Sequence, residues 1–276
     1  MKIFFIIALF LSFLYSKDKI VTLNPALNEI VYALGLGQNV VANTHFSYYP
    51  ESSKSVLKIG GYGNISLEKI IQLNPDFIIS YLGDKKINDN LKNLNFKVYS
   101  YKTETLEDIK DTILSLGEIF SKQDVAKDLN KQIEDSLKLI ENIFTNQKIL
   151  VVFTASQKLQ NQIYVASNFV YFEDIIKRSS NINAYQSSIK SQPVLNIEKI
   201  IALNPDIIVL LAPYIEDENE KIAIIKSFET LKVNASENQN IYMINGEYAS
   251  IPSHRVKYFI DDFREILEDV RAKKLQ

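Results

Sequence analysis

The sequence predicts an α/β protein of two Rossmann-like lobes joined by one long α-helix, with a ligand cleft between the lobes. A helix-and-strand segment that occurs twice and an unbroken amphipathic stretch between its copies carry that expectation. The length, 276 residues, and a composition that is 46% hydrophobic with a formal net charge of -2 suit one large domain or two smaller ones.

The first lobe opens with a strand at Ile20 to Leu23 and a helix from Pro25 to Leu34, ended by Gly35 or Gly37. A short strand at Val40 to Ala42 follows. The duplicated segment then begins: Ser66 to Ile79 reappears as Asn196 to Val209. Ser66 and Asn196 are favoured helix N-caps, because their side chains accept a hydrogen bond from an orphan amide of the first turn. Ile70, Ile71 and Leu73, matched by Ile200, Ile201 and Leu203, give each helix an apolar face. Asn74-Pro75 and Asn204-Pro205 stop it, since proline disfavours helix in the residue before it. The β-branched run after each stop reads as a buried parallel strand. A further strand at Val98 to Tyr101 comes after Tyr81-Leu82-Gly83.

From Lys122 to Gln147 there is neither proline nor glycine, and Val125, Leu129, Ile133, Leu137, Ile140 and Phe144 recur at helical spacing. This predicts one helix over 122–147, unlike the Gly/Ser linker that permits wide motion, so the lobes should sit at a nearly fixed separation. Beyond it, strands are expected at Ile149 to Phe153, Ile207 to Leu211 and Ile241 to Ile244. Helices are expected near Phe169 to Lys177, Lys221 to Leu231 and Arg255 to Ala272. The domain boundaries follow: 1–16 a signal peptide, 17–121 the first lobe, 122–147 the connecting helix, 148–276 the second lobe.

The signal peptide is read from Met1-Lys2, the apolar run Ile3 to Tyr15, the small Ser16 and the charged Lys17-Asp18-Lys19. The run is too short to span a bilayer comfortably, and its cleavage predicts a periplasmic protein. The chain has no cysteine, so neither a disulfide nor a lipid-modified cysteine is expected. Two histidines, His45 and His254, are too few for a His-rich metal site, and no resident metal or cofactor is expected. The balanced charge gives no basic footprint for nucleic acid. Arginine is confined to Arg178, Arg255, Arg264 and Arg271, a poor supply for clamping several anionic groups. No G-x-S-x-G elbow, Walker-A loop or complete G-x-G-x-x-G follows a strand, so no catalytic residue is assigned and an α/β enzyme is the lesser reading.

The run Ile20-Val21-Thr22-Leu23-Asn24-Pro25, then Glu29, Ala33-Leu34-Gly35, Tyr49-Pro50 and Ile59-Gly60-Gly61-Tyr62-Gly63-Asn64, leads into the first repeat. With the second repeat and Pro252 to Arg255 at the last helix, it resembles the helical-backbone periplasmic binding proteins of ABC importers for cobalamin, haem and ferric siderophores. The resemblance spans essentially the whole mature chain. It implies a monomer that holds a metal chelate between its lobes and docks on an inner-membrane ABC permease. One glutamate per lobe would pair with permease arginines, and the matching positions are Glu68 and Glu198. Each lies in the first turn of a repeat helix, which in an α/β lobe shares a face with the carboxyl ends of the strands.

The loops expected at that face carry His45, Phe46, Tyr62, Tyr81, Tyr164 and Tyr248, with Arg255 opening the last helix. Flat, partly polar rings suit a broad planar ligand such as a corrin or porphyrin. Tyr62, Tyr81 and Tyr248 match positions where the resemblance implies aromatic contacts to cobalamin. Haem-binding members often place a tyrosine one position before Tyr62, where this chain has Gly61. A corrinoid is therefore the first expectation; haem, a ferric siderophore, or a nickel or cobalt chelate completed by His45 or His254 are the alternatives.

Overall fold

The structure is a computed structural model that describes residues 18–153, 159 and 162–275. The expected signal segment therefore lies outside the described residues.

Five parallel strands form the first sheet: β1 (Ile20–Thr22), β2 (Val40–Asn43), β3 (Leu57–Lys58), β6 (Phe77–Tyr81) and β7 (Val98–Tyr101), in the order β3-β2-β1-β6-β7. Between β3 and β6 lie a small hairpin, β4 (Gly60–Gly61) with β5 (Asn64–Ile65), and the helix α2 (Leu67–Leu73). The other helices of this half are α1 (Pro25–Val31), α3 (Lys85–Asn93) and α4 (Leu106–Ile119). After α5 (Gln123–Leu139), the second half builds a four-stranded parallel sheet. Its strands are β8 (Lys148–Val152), β10 (Ile182–Asn183), β12 (Ile207–Leu211) and β13 (Ile241–Ile244), in the order β10-β8-β12-β13. A second hairpin pairs β9 (Ile163–Tyr164) with β11 (Val194–Leu195). The helices are α6 (Tyr171–Arg178), α7 (Ile197–Leu203), α8 (Glu218–Glu229), α9 (Asn234–Glu237) and α10 (Val256–Lys274).

The duplication reads through to atomic detail. Ser66 Oγ accepts from the Lys69 amide at 3.3 Å, and Asn196 Oδ1 accepts from the Lys199 amide at 2.9 Å. Each helix closes on an asparagine in the left-handed region, Asn74 at φ 43° and Asn204 at φ 46°, a conformation asparagine tolerates better than most residues. The duplicated unit also extends to the neighbouring strand. Asp76 and Asp206 each accept, at 2.8 Å, from the backbone amide of a lysine, Lys19 and Lys148 respectively. Those lysines donate their ammonium to the last helical carbonyls, Leu73 and Leu203, at 3.2 and 2.9 Å. The cationic end thus meets the negative end of each helix dipole.

Alternating side chains divide the interior into three cores. Ile20 and Ile79 of the first sheet, with Ile149, Val151, Ile207, Val209 and Leu211 of the second, face one shared core. It is filled by residues of α1, α4, α5, α6 and α10. Val21 and Ile78 face a separate core with Ile70 and Leu91, and Leu150, Val152, Ile208 and Leu210 face a third with Ile200, Ile224 and Phe228. Both faces of each sheet are therefore covered, which explains the continuous apolar runs of the strands.

The join between lobes is consequently broader than one helix. The helix expected over 122–147 ends at Leu139, because Asn142 and Asn146 turn to positive φ, 58° and 61°. This helix, α5, pairs with α4 and approaches it closely at Gly117, where a Cβ would stand 2.5 Å from the Ala126 Cβ. Ser136 of α5 donates to Asp261 of α10 at 2.8 Å, tying the final helix to the same layer.

Candidate ligand-binding site

The carboxyl ends of strands from both lobes converge on one cavity of about 280 Å³ that opens to solvent. In parallel α/β sheets this is the end at which ligands bind. After β1 the chain supplies Asn24, which caps α1 by accepting from the amides of Ala26 and Leu27 at 2.9 and 3.2 Å. The β4–β5 hairpin supplies Tyr62, β6 ends in Tyr81, and the segment after β7 supplies Thr103 and Glu104. The second lobe answers with Phe153 after β8, Val170 and Tyr171 at the start of α6, and Ser250 to Pro252 before α10. Aromatic side chains thus line the cavity from both lobes.

Tyr62 is 73% exposed and stacks on Phe46, their ring centroids 5.0 Å apart. The loop that carries Phe46 is held from below by a buried polar network. Asn28 donates to the Ser53 hydroxyl and to the Tyr49 carbonyl, Asn43 donates to Ser53, and Lys58 donates to Asn43 Oδ1 at 2.7 Å and to the Ser47 and Ser53 carbonyls. Burial pushes the Lys58 ammonium below its ordinary pKa. His45, beside Phe46, is exposed, and its amide donates to the Gly60 carbonyl at 2.8 Å.

Tyr81 donates its hydroxyl to Glu104 Oε1 at 2.6 Å, and Lys190 of the second lobe reaches the other oxygen at 2.5 Å. Desolvation works to raise the Glu104 carboxyl, but the Lys190 and Tyr81 hydrogen bonds outweigh it and hold its pKa below the usual range. Desolvation and the Glu104 carboxylate together push the Tyr81 phenol far above its ordinary value. Desolvation, then Asp84 and Tyr214, also raises Tyr62. Neither phenol is prepared to ionise.

Two expected ligand contacts are engaged elsewhere. Arg255 is buried, 4% exposed, with its guanidinium paired to Glu29. Tyr248 turns its hydroxyl to Asp262 at 2.5 Å, against α10, where it lines a different cavity with Tyr242, Asp262 and Asp269. Tyr164 is half-exposed on the β9–β11 hairpin. The sequence reading passes over Phe153, Tyr171 and Glu104. Phe153 was legible as the residue ending the apolar run of β8, whereas Glu104 has no local pattern that sets it apart.

Glu68 and Glu198 are both exposed in the first turns of α2 and α7. These helices match in burial residue for residue: one buried isoleucine, Ile70 or Ile200, with the glutamate, lysine and second isoleucine exposed around it. Among the described residues there is no group of three or more His, Asp and Glu side chains that could hold a metal ion, and no helix long and apolar enough to cross a membrane.

Two α/β lobes sharing a helical layer, with an aromatic cavity between them, define a two-lobed solute-binding protein. The chain belongs to the periplasmic binding protein family, whose model matches residues 20–248; this is a family of transport binding proteins, not enzymes. It is similar to the vitamin B12-binding protein of Vibrio vulnificus, 23% identical over 93% of this chain and 92% of that one. Its counterpart from Vibrio campbellii is 26% identical over the same shares. Among solved structures, the periplasmic vitamin B12-binding protein BtuF of Vibrio cholerae superposes with a TM-score of 0.78 at 21% identity, covering 92% of this chain and 97% of that one. The haem-binding protein BhuT, in complex with two haems, superposes with a TM-score of 0.75 at 16% identity over 92% and 99%. The α/β two-lobed architecture is shared with both.

Proposed function

We propose that this protein is a monomeric periplasmic carrier that holds a corrinoid in the interlobe cavity and delivers it to an ABC permease through Glu68 and Glu198. Its route to the periplasm is the cleaved 1–16 segment, without a lipid anchor. The observation that carries the cargo reading is the cavity lining: Tyr62 and Tyr81 from one lobe, Phe153 and Tyr171 from the other, and Glu104 already neutralised by Lys190. Such walls favour a flat ligand with a neutral, amide-bearing rim, because rings bury large areas and tyrosine adds a polar tip. A porphyrin dicarboxylate or a ferric siderophore would ask for cations, and Arg255 is committed to Glu29. The Tyr81 phenol, whose proton is held by Glu104 and whose pKa is raised, also disfavours phenolate ligation of haem iron. The Vibrio vitamin B12-binding proteins lend the same support along most of the chain.

Calorimetric titration of the mature protein with cyanocobalamin, hemin and a ferric siderophore tests the reading. Cyanocobalamin is expected to bind stoichiometrically below about a micromolar dissociation constant. Tighter binding of hemin or of the siderophore would replace the corrinoid with an anionic iron chelate. Turnover of any of them would overturn the carrier role.

A further inference from the structure

The two copies of the repeat agree at some positions and differ at others, and the fold accounts for most of the agreement. Ile70 and Ile200, and Ile78 and Ile208, are fully buried. Asn74 and Asn204 make the left-handed stop, and Asp76 and Asp206 accept from the neighbouring strand. Several positions that are partly or wholly buried have diverged: Leu67 answers Ile197, Phe77 answers Ile207 and Ile79 answers Val209. Yet the exposed Glu68, Lys69 and Ile71 of α2 recur unchanged as Glu198, Lys199 and Ile201 of α7. Lys69 donates to the Lys58 carbonyl at 3.0 Å. Ile71 is 51% exposed and Ile201 38%, and both stand outside the cores beneath their helices. The next exposed position is not held, being Gln72 in one copy and Ala202 in the other. The bond from Gln72 to Glu68, at 3.4 Å, therefore has no counterpart on α7 and does not explain why the glutamate recurs. Isoleucine is a poorer helix former than glutamine or alanine, so neither helix gains from it. One exposed isoleucine is ordinary, but these two stand at equivalent positions, each three residues after a glutamate. At that spacing on a helix the two side chains are surface neighbours. Each lobe thus offers one carboxylate beside one apolar side chain.

We infer that Ile71 and Ile201 are apolar anchors for an integral-membrane permease with two equivalent halves, each offering an apolar socket beside a cation. The inference rests on the docking role proposed for Glu68 and Glu198 and deepens it, because charge then does not hold the complex alone. Burying an isoleucine contributes in proportion to the apolar area removed from water, and salt does not screen it. Exposed ion pairs act chiefly on the rate of encounter, so the isoleucines govern the lifetime of the complex. A bare lipid surface suits these patches poorly, since anionic headgroups repel both glutamates.

The test measures binding to the purified cognate ABC importer in nanodiscs by surface plasmon resonance, with importer-free nanodiscs of the same lipid as the reference. Ile71→Ser with Ile201→Ser is expected to raise the dissociation rate by about tenfold or more at both low and high salt. Each single variant should lose about equally. Circular dichroism should report a folded chain, and Ile71→Val with Ile201→Val should restore most of the lifetime. Gln72→Ser with Ala202→Ser, at the adjacent exposed positions, should dock as the wild type does. Glu68→Gln with Glu198→Gln should instead slow association and remove its salt dependence. A serine pair that dissociates like the wild type, beside a glutamine pair that fails to dock, would overturn the anchors and leave docking through the glutamates standing. Wild-type docking by both pairs would overturn both readings. Equal binding to importer-free nanodiscs would make the partner a lipid surface and overturn the permease anchors.

Discussion

Glu29 of the first lobe accepts from Arg255 of the second through two hydrogen bonds, Nη2 to Oε1 at 2.6 Å and Nε to Oε2 at 2.9 Å, with both side chains 4% exposed. Ser253 donates to the same carboxylate, and the guanidinium lies 3.7 Å from the centroid of the Tyr49 ring. The pair sits where α1 meets the start of α10, beneath the cavity, so it helps to set the spacing of the two lobes.

Removing Glu29 leaves the buried Arg255 guanidinium with only the half-exposed Glu247 carboxylate, 3.8 Å away, which costs up to about 3 to 5 kcal/mol. Glu29→Ala is therefore expected to lower unfolding stability by that amount in urea, followed by circular dichroism. The apolar pair Glu29→Leu with Arg255→Met should lose much less, since neither charge is stranded. A single Glu29→Ala loss below about 1 kcal/mol would mean that water already reaches the pair.

His254 gives the stability a pH dependence. Burial first, and then the neighbouring Arg255 charge, pushes its pKa down to about 4 from the ordinary 6.5. The unfolded chain takes up the proton more readily, so His254 contributes stability that is present above pH 6.5 and is lost as the pH falls toward 4. Integrated over that interval the loss is about 3 kcal/mol. His254→Gln should flatten the acid limb of the stability curve between those pH values. An unchanged limb would show that another group governs it.

The central strands β1, β6, β8 and β12 were legible because they are buried and read as apolar, β-branched runs, whereas the two-residue strands β3 and β10 are partly exposed and leave no run. The repeat was legible because each copy opens on a good N-cap, Ser66 or Asn196, and stops at Asn-Pro. The helix α4 carries signals as plain as those of α5: Thr105 caps it, with Asp108 returning the bond, and Leu106, Ile109, Ile113 and Leu116 recur at helical spacing. The connecting helix was legible, with an end set eight residues too late, and its partner α4 was not read beside it. By contrast α3 offers only Ile87 and Leu91 as apolar residues in nine, too few to define a face. The partners of Arg255 and Tyr248 lie 226 and 14 positions away, and pairing at such separations leaves no local mark. The sequence therefore shows neither the Glu29 partner of Arg255 nor the Asp262 partner of Tyr248.

Lys190 and Glu104 join the lobes across the cavity, one from the segment between β10 and β11, the other from the segment before α4. Lys190 is mostly exposed, so the pair stabilises the fold by only about 0.5 kcal/mol. Its effect should fall on ligand entry. Lys190→Ala is expected to raise the association rate of cyanocobalamin about threefold, a change of under 1 kcal/mol in the barrier, when measured by stopped-flow absorbance. Added salt should speed the wild type and leave the variant nearly unaffected, because screening acts on the exposed pair. Equal salt responses would place the barrier elsewhere.

Glu68 and Glu198 supply the sharpest test of delivery. They occupy equivalent first-turn positions on helices with equivalent capping bonds, from Ser66 and Asn196, the same left-handed asparagine stop and the same exposure pattern. A partner with two equivalent halves would therefore meet the same surface twice. A first-turn glutamate also gains from the helix dipole, by about 0.3 to 1 kcal/mol, so a stability loss of that size alone carries no information about docking. The informative measurement separates binding from transfer. Glu68→Ala with Glu198→Ala should leave cyanocobalamin affinity unchanged while uptake in cells relying on this carrier falls at least tenfold, and each single variant should fall between. If the two glutamates dock on a cationic surface, as proposed, opposite-charge replacement by lysine at both positions should be worse than alanine, since it adds repulsion. Uptake at the wild-type rate in the double alanine variant would remove the docking role from both residues.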